Sequence, residues 1–115
     1  MPDVKLRGGM TTVLQYPVGI NEFSVPMHSG SSVLSVGMQN GKPIMWALSD
    51  KAEPLVPHFF VTAQTGQEVP DEIGHFLFIG TFQSPSGNMS FHLFDAGEFD
   101  EDGEDGGDND TKEAA

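Results

Sequence analysis

The dipeptide Asn40-Gly41, set between two apolar runs, constrains this chain more than any other local feature. Both residues tolerate positive φ, which a type I′ turn requires at its two central positions, and the twist of that turn matches the strands it joins. A hairpin is therefore predicted, with Gln39 opposite Lys42, Met38 opposite Pro43, Val36 opposite Met45 and Leu34 opposite Ala47. One face then carries Leu34, Val36, Met38, Met45 and Ala47. The other carries Val33, Ile44, Trp46 and Leu48, with Ser35 and Gly37 between them. A hairpin with one side in water is apolar on one side only, so this one is either covered on both sides or offers a face to a partner. The Leu34/Val36 face, more continuously aliphatic, is expected to be core. Ile44, Trp46 and Leu48 are the candidate partner-binding face, where an amphipathic indole suits a protein contact. Pro43 lacks an amide donor, which places Ile44–Ser49 at a sheet edge or bulges it early.

The rest of the body repeats this logic. No run of helical spacing occurs between residues 8 and 94, and short β-rich runs alternate with turn residues. Strands are predicted at Thr12–Val18, Glu22–Pro26, Val33–Gln39, Ile44–Ser49, Phe59–Ala63, His75–Gln83 and Met89–Phe94. The fold class is all-β: a small antiparallel β-sandwich or open barrel. In the longest connection, Thr65 to Gly74, Asp71-Glu72 is suited to start a single helical turn. A second hairpin joins Phe76–Gln83 to Met89–Phe94. With nine Phe in 115 residues, an aromatic core is expected from Phe59, Phe60, Phe76, Phe78, Phe82, Phe91 and Phe94.

Charge divides the chain. Ten acidic residues lie from Asp95 onward against Lys112 alone, so −9 of the net charge of −12 sits at the C-terminal end. This segment has one aromatic, Phe99, and too little apolar area to offset its ordering entropy. The expected division is a flexible leader over 1–10, a β domain over 11–95 and a disordered acidic tail over 96–115. The tail is a solubilising device or an electrostatic partner for a basic protein surface, through Asp100, Glu101, Asp102, Glu104 and Asp105. Metal chelation is the third reading, and the acids here do not reproduce the fixed offsets of a Ca²⁺ loop. So negative a chain repels phosphate backbones and anionic lipid, so neither direct nucleic-acid binding nor membrane binding is expected. There is no cysteine, which excludes disulfide staples, thiolate metal sites and a cysteine nucleophile. No signal peptide or spanning helix is read, and the expected location is cytoplasmic.

The chain is poor in catalytic vocabulary. His28, His58, His75 and His92 are spaced too widely for a metal-ligand motif and are read as rim or turn histidines. If Gln83 faces Asn88, His92 falls opposite Ile79. It then lies on the side of His75 but too far along the sheet to share an ion with it. There is no nucleophile elbow, and Asp71-Glu72 are neighbouring carboxylates in a polar loop with no cause for separated acidities. Neither enzyme activity nor a cofactor is expected.

Several segments share a pattern: Tyr16-Pro17, the stretch VLSVGMQNGKPIMWALSD from Val33 to Asp50, FVTAQTG from Phe60 to Gly66, and Val69-Pro70-Asp71. FIGTFQ from Phe78 to Gln83 and FHLFD from Phe91 to Asp95 complete it. Together they resemble a family of short uncharacterised proteins of bacteriophages and bacterial genomes. That family carries a YP pair, a VQxQxGxPxLWALVD-like hairpin, a TGxxIPD loop and a GTFQ…FHxFE ending. Here Gly37 replaces a Gln, Val69 replaces an Ile, and the basic residues of the central loop are missing. The resemblance implies a phage origin and a small β fold, without an activity.

The expected function is a small non-catalytic phage-type binding protein. It would act on a host or phage protein through the Ile44/Trp46/Leu48 surface, the acidic tail, or both, and a homodimer is compatible with it. The alternatives are a binder or sponge for a small ligand such as a signalling nucleotide, using Thr62, Gln64, Thr65 and Gln67, or a virion or assembly component. An anionic ligand would need Arg, Lys or several aimed backbone N–H groups, and the body offers few cations.

Overall fold

The Asn40-Gly41 turn forms as its sequence requires, with φ of 54° at Asn40 and 78° at Gly41, in a computed structural model that describes residues 9–98. Seven strands make up the fold: β1 (Thr12–Pro17), β2 (Glu22–His28), β3 (Ser32–Gln39), β4 (Lys42–Ser49), β5 (Leu55–Gln64), β6 (Leu77–Gln83) and β7 (Ser90–Glu98). A single 3-10 turn, Asp71–His75, interrupts the β5–β6 connection. The strands form two antiparallel sheets, one in the order β1-β4-β3 and the other in the order β2-β5-β7-β6. The all-β, two-sheet architecture is the one expected.

The details correct several expectations. β4 is the central strand of its sheet, not an edge. Pro43 is tolerated there because it sits beside the turn, where its carbonyl accepts the Val18 N–H at 3.3 Å. The hairpin register holds from Gln39↔Lys42 to Ser35↔Trp46, then slips: Ala47 pairs with Val33, not with Leu34. The extra residue is Leu34, a β-bulge. It turns Leu34 outward, 50% exposed, and brings Val33 against the core in its place. The second hairpin pairs Gln83 with Ser90 and Thr81 with His92, and it slips between Phe78 and Gly80. His92 therefore faces Thr81, not Ile79, and His75 lies in the 3-10 turn. Strand β7 runs on to Glu98, three residues past the expected domain end at Asp95. The expected leader lies largely, and Asp100, Glu101, Asp102, Glu104 and Asp105 lie wholly, outside the described residues.

The core is not the aromatic one expected. It is a cluster of Val25, Met27, Met45, Ala47, Phe60 and Leu93, with Tyr16, Val18, Phe23, Val33, Val36 and Ile79 packed around it. Of the seven Phe expected inside, Phe60 and Phe82 are buried, whereas Phe59 and Phe78 are largely exposed. Phe59 and Phe60 are consecutive, so the period of two sends them to opposite faces. The β6 bulge turns Phe78 outward and Ile79 inward. Met27 and Met45, both fully buried, fill the space between the sheets, a role suited to a flexible thioether. Burying each such side chain contributes about 1.5–3 kcal/mol.

Candidate functional site

Strand pairing assembles the outward face of the three-stranded sheet. β4 presents Ile44, Trp46 and Leu48 outward, because its alternate residues Met45, Ala47 and Ser49 are buried between the sheets. Register then adds β1: Val13 lies beside Leu48, Gln15 beside Trp46 and Pro17 beside Ile44. On the other side Ser35 lies beside Trp46 and Gly37 beside Ile44. Gly37 is the seat of the indole. A Cβ there would stand 3.4 Å from Trp46 Cζ3, in contact with the ring, so a side chain extending beyond Cβ would compete with the indole for this place. Trp46 is thus half-buried against its own sheet with one side turned to solvent, while Val13 and Leu48 are 53% and 38% exposed.

The electrostatics of this face are as informative as its shape. Across all of β1, β3 and β4 the one charged residue is Lys42, at the hairpin turn. In a chain of net charge −12, a whole sheet without an acid is a neutral window. The three residues expected from the sequence, Ile44, Trp46 and Leu48, come together on it. Val13, Pro17 and Gly37 belong to it too. The alternation of β1 was visible in the sequence, but its pairing partner was not.

The other candidates disperse. Thr62 and Gln67 line a cleft of about 340 Å³ between the β1–β2 corner and the 65–76 segment, with Asn21, Val61, Val69, Pro70 and Ile73, and with Glu22 and Glu68 among its walls. Thr62 is committed to the fold: its hydroxyl accepts the Asn21 N–H at 2.9 Å and donates to the Gly19 carbonyl at 3.3 Å. Gln67 closes its own turn by accepting the Gln64 N–H at 2.9 Å. Thr65 bonds the His92 ring at 2.8 Å and does not line the cleft. Two carboxylates and no Lys or Arg line this space, which opposes an anionic nucleotide.

One polar site escaped the sequence reading. His58 is buried, not at a rim: its Nε2–H donates to Asp95 Oδ1 at 2.7 Å, and its ring stacks on Phe60 with centroids 4.9 Å apart. The same Asp95 oxygen accepts the Gly97 N–H at 2.8 Å. It thereby holds the bulge at which Phe59 pairs with Gly97 and Phe60 with Asp95. His58 and Asp95 are 37 residues apart in the chain, and only the β5–β7 pairing joins them. Through the Gly97 N–H that Asp95 accepts, the dyad fixes the end of β7. His28 donates from Nδ1 to the Glu53 carbonyl at 2.7 Å, and His92 lies between the hydroxyls of Thr65 and Thr81. Among the described residues no group of three or more His, Asp or Glu is placed to hold a metal ion, and no helix is long and apolar enough to cross a membrane.

These features define a small two-sheet antiparallel β domain with a neutral apolar outer face. The chain belongs to the family described as domain of unknown function (DUF7352), which matches residues 10–103. No curated protein and no solved structure matches it.

Proposed function

We propose that this domain is a non-catalytic protein-binding module that engages an apolar protein surface through the outer face of the β1-β4-β3 sheet, centred on Trp46. In a phage setting the partner is a host or phage protein met in the bacterial cytoplasm. The observation that carries the reading is the acid-free face of Val13, Ile44, Trp46 and Leu48 on a strongly acidic chain. Interfaces of this kind place an aromatic anchor at the centre and exclude charge from it. The acidic residues Asp100, Glu101, Asp102, Glu104 and Asp105 supply long-range attraction toward a partner whose rim is basic, raising the association rate more than the affinity.

The test is affinity capture from a bacterial lysate with the full chain, with W46A/L48K and with a chain ending at Phe99. A protein retained by the full chain and by the shortened one, and lost with W46A/L48K, supports the face as the binding element. A captured set identical for the full chain and W46A/L48K removes it. Loss on shortening alone transfers the function to the acidic residues.

A further inference from the structure

The two sheets leave four edge strands, and three of them are blunted. β3 carries the bulge at Leu34 and β6 the bulge between Phe78 and Gly80, and these two strands also lie against each other. β2 has Pro26 in its middle and Glu22 and His28 at its ends. Bulges, prolines and charges are the devices that stop an edge from pairing with another chain. β1 has none of them from Thr12 to Tyr16: five consecutive residues without charge, proline or register slip. Among the described residues it is hydrogen-bonded on one side only, to β4.

We infer that β1 is a strand-addition edge and that its occupant is β1 of a second copy of this chain, paired antiparallel about Leu14. The segment is self-complementary in that register. Leu14 meets its own twofold mate, Val13 lies opposite Gln15 of the second copy, and Thr12 lies opposite Tyr16. Leu14 and Tyr16 are half-buried on the inward side, and the added strand covers them further. The outward side joins the two neutral faces into one six-stranded surface with a Trp46 on each half. Charge selects this edge over the others: two chains of −12 meet here without an acid on either strand, whereas β2 would bring Glu22. Six residues a side fall well below the roughly 20–30 that a standard stable interface uses. The dimer is accordingly weak and concentration-dependent, and added salt strengthens it by screening the repulsion between the two chains. This inference goes beyond the binding reading and stands without it, since it rests on β1 and not on Trp46.

Sedimentation equilibrium of the full chain across micromolar to millimolar concentration tests it. Val13 and Gln15 are exposed, so the variants V13K/Q15K and V13K/Q15E are expected to keep the far-UV spectrum of the wild type. In V13K/Q15K every cross-strand pair of these positions is Lys against Lys, and association weakens about tenfold. In V13K/Q15E each Lys faces a Glu, and association returns to the wild-type level. Net charge alone would order the two variants oppositely, because V13K/Q15K is the less negative chain. W46A leaves the equilibrium unchanged, which separates this inference from the failure or success of the Trp46 reading. A wild type that stays monomeric throughout overturns it. So does V13K/Q15K associating as well as V13K/Q15E, or a dimer that W46A abolishes.

Discussion

The outward faces of the two sheets are built from similar apolar residues and treated oppositely. The four-stranded sheet is partly covered by its own chain. The segment between β5 and β6 folds back so that Ile73 is buried and shares a cleft with Val61. Ala63, which points outward beside His92, is nevertheless only 8% exposed. On the same face Phe78 leans against Phe94 at 5.5 Å, and charge enters through Glu22, while Asp95 and Glu98 stand on the same sheet. Among the described residues the three-stranded sheet has no such cover, and its strands carry no acid. Its connections within the described residues, 18–21, 29–31, the Asn40-Gly41 turn and 50–54, are each five residues or fewer. The contrast teaches that apolar outward residues take their meaning from what the connections leave bare. On one sheet they are a secondary core, and on the other they are a surface.

The largest test of that contrast lies between the sheets. Phe60→Ala is expected to cost about 4 kcal/mol and Met45→Ala about 3, read from urea unfolding at equilibrium. An equal loss from Leu48→Ala would mean that the three-stranded sheet is covered after all. Next comes the buried pair of the four-stranded sheet. Asp95→Ala leaves His58 without its acceptor and Gly97 N–H without its cap, with an expected loss of about 3 kcal/mol. The double replacement H58L/D95L should lose less than the two single changes added together, because neither partner of the buried pair is then left without the other.

Smaller effects sharpen the comparison within the three-stranded sheet. Val33→Ala is expected to destabilise by roughly 1–2 kcal/mol and Leu34→Ala by under about 1 kcal/mol, since the bulge puts Val33 in the core and Leu34 in solvent. The reverse order would restore the unbulged register. Trp46→Ala should cost less stability than Met45→Ala while weakening partner binding by about 2 kcal/mol. Its emission should be accessible to acrylamide in the isolated monomer and shielded in a complex. Leu48→Lys, the mildest, should change stability by no more than roughly 0.5 kcal/mol.

Much of this was legible in sequence. Asn40-Gly41 determined a turn, and with it the local register as far as Ser35↔Trp46, because positive φ at two adjacent positions admits few alternatives. Alternation determined that Met45 and Ala47 share one face and Ile44, Trp46 and Leu48 the other. Composition determined that the C-terminal end carries most of the charge. Only the tertiary structure decided the rest. A bulge adds one residue without a strong sequence mark, and at Leu34 that single residue exchanged which aliphatic neighbour is core. Sheet order is a matter of long-range pairing, so nothing local to Pro43 revealed that β4 is central or that Val13 completes the Trp46 face. For the same reason His58 and Asp95, each unremarkable in its own segment, become a buried pair only when β5 and β7 lie side by side.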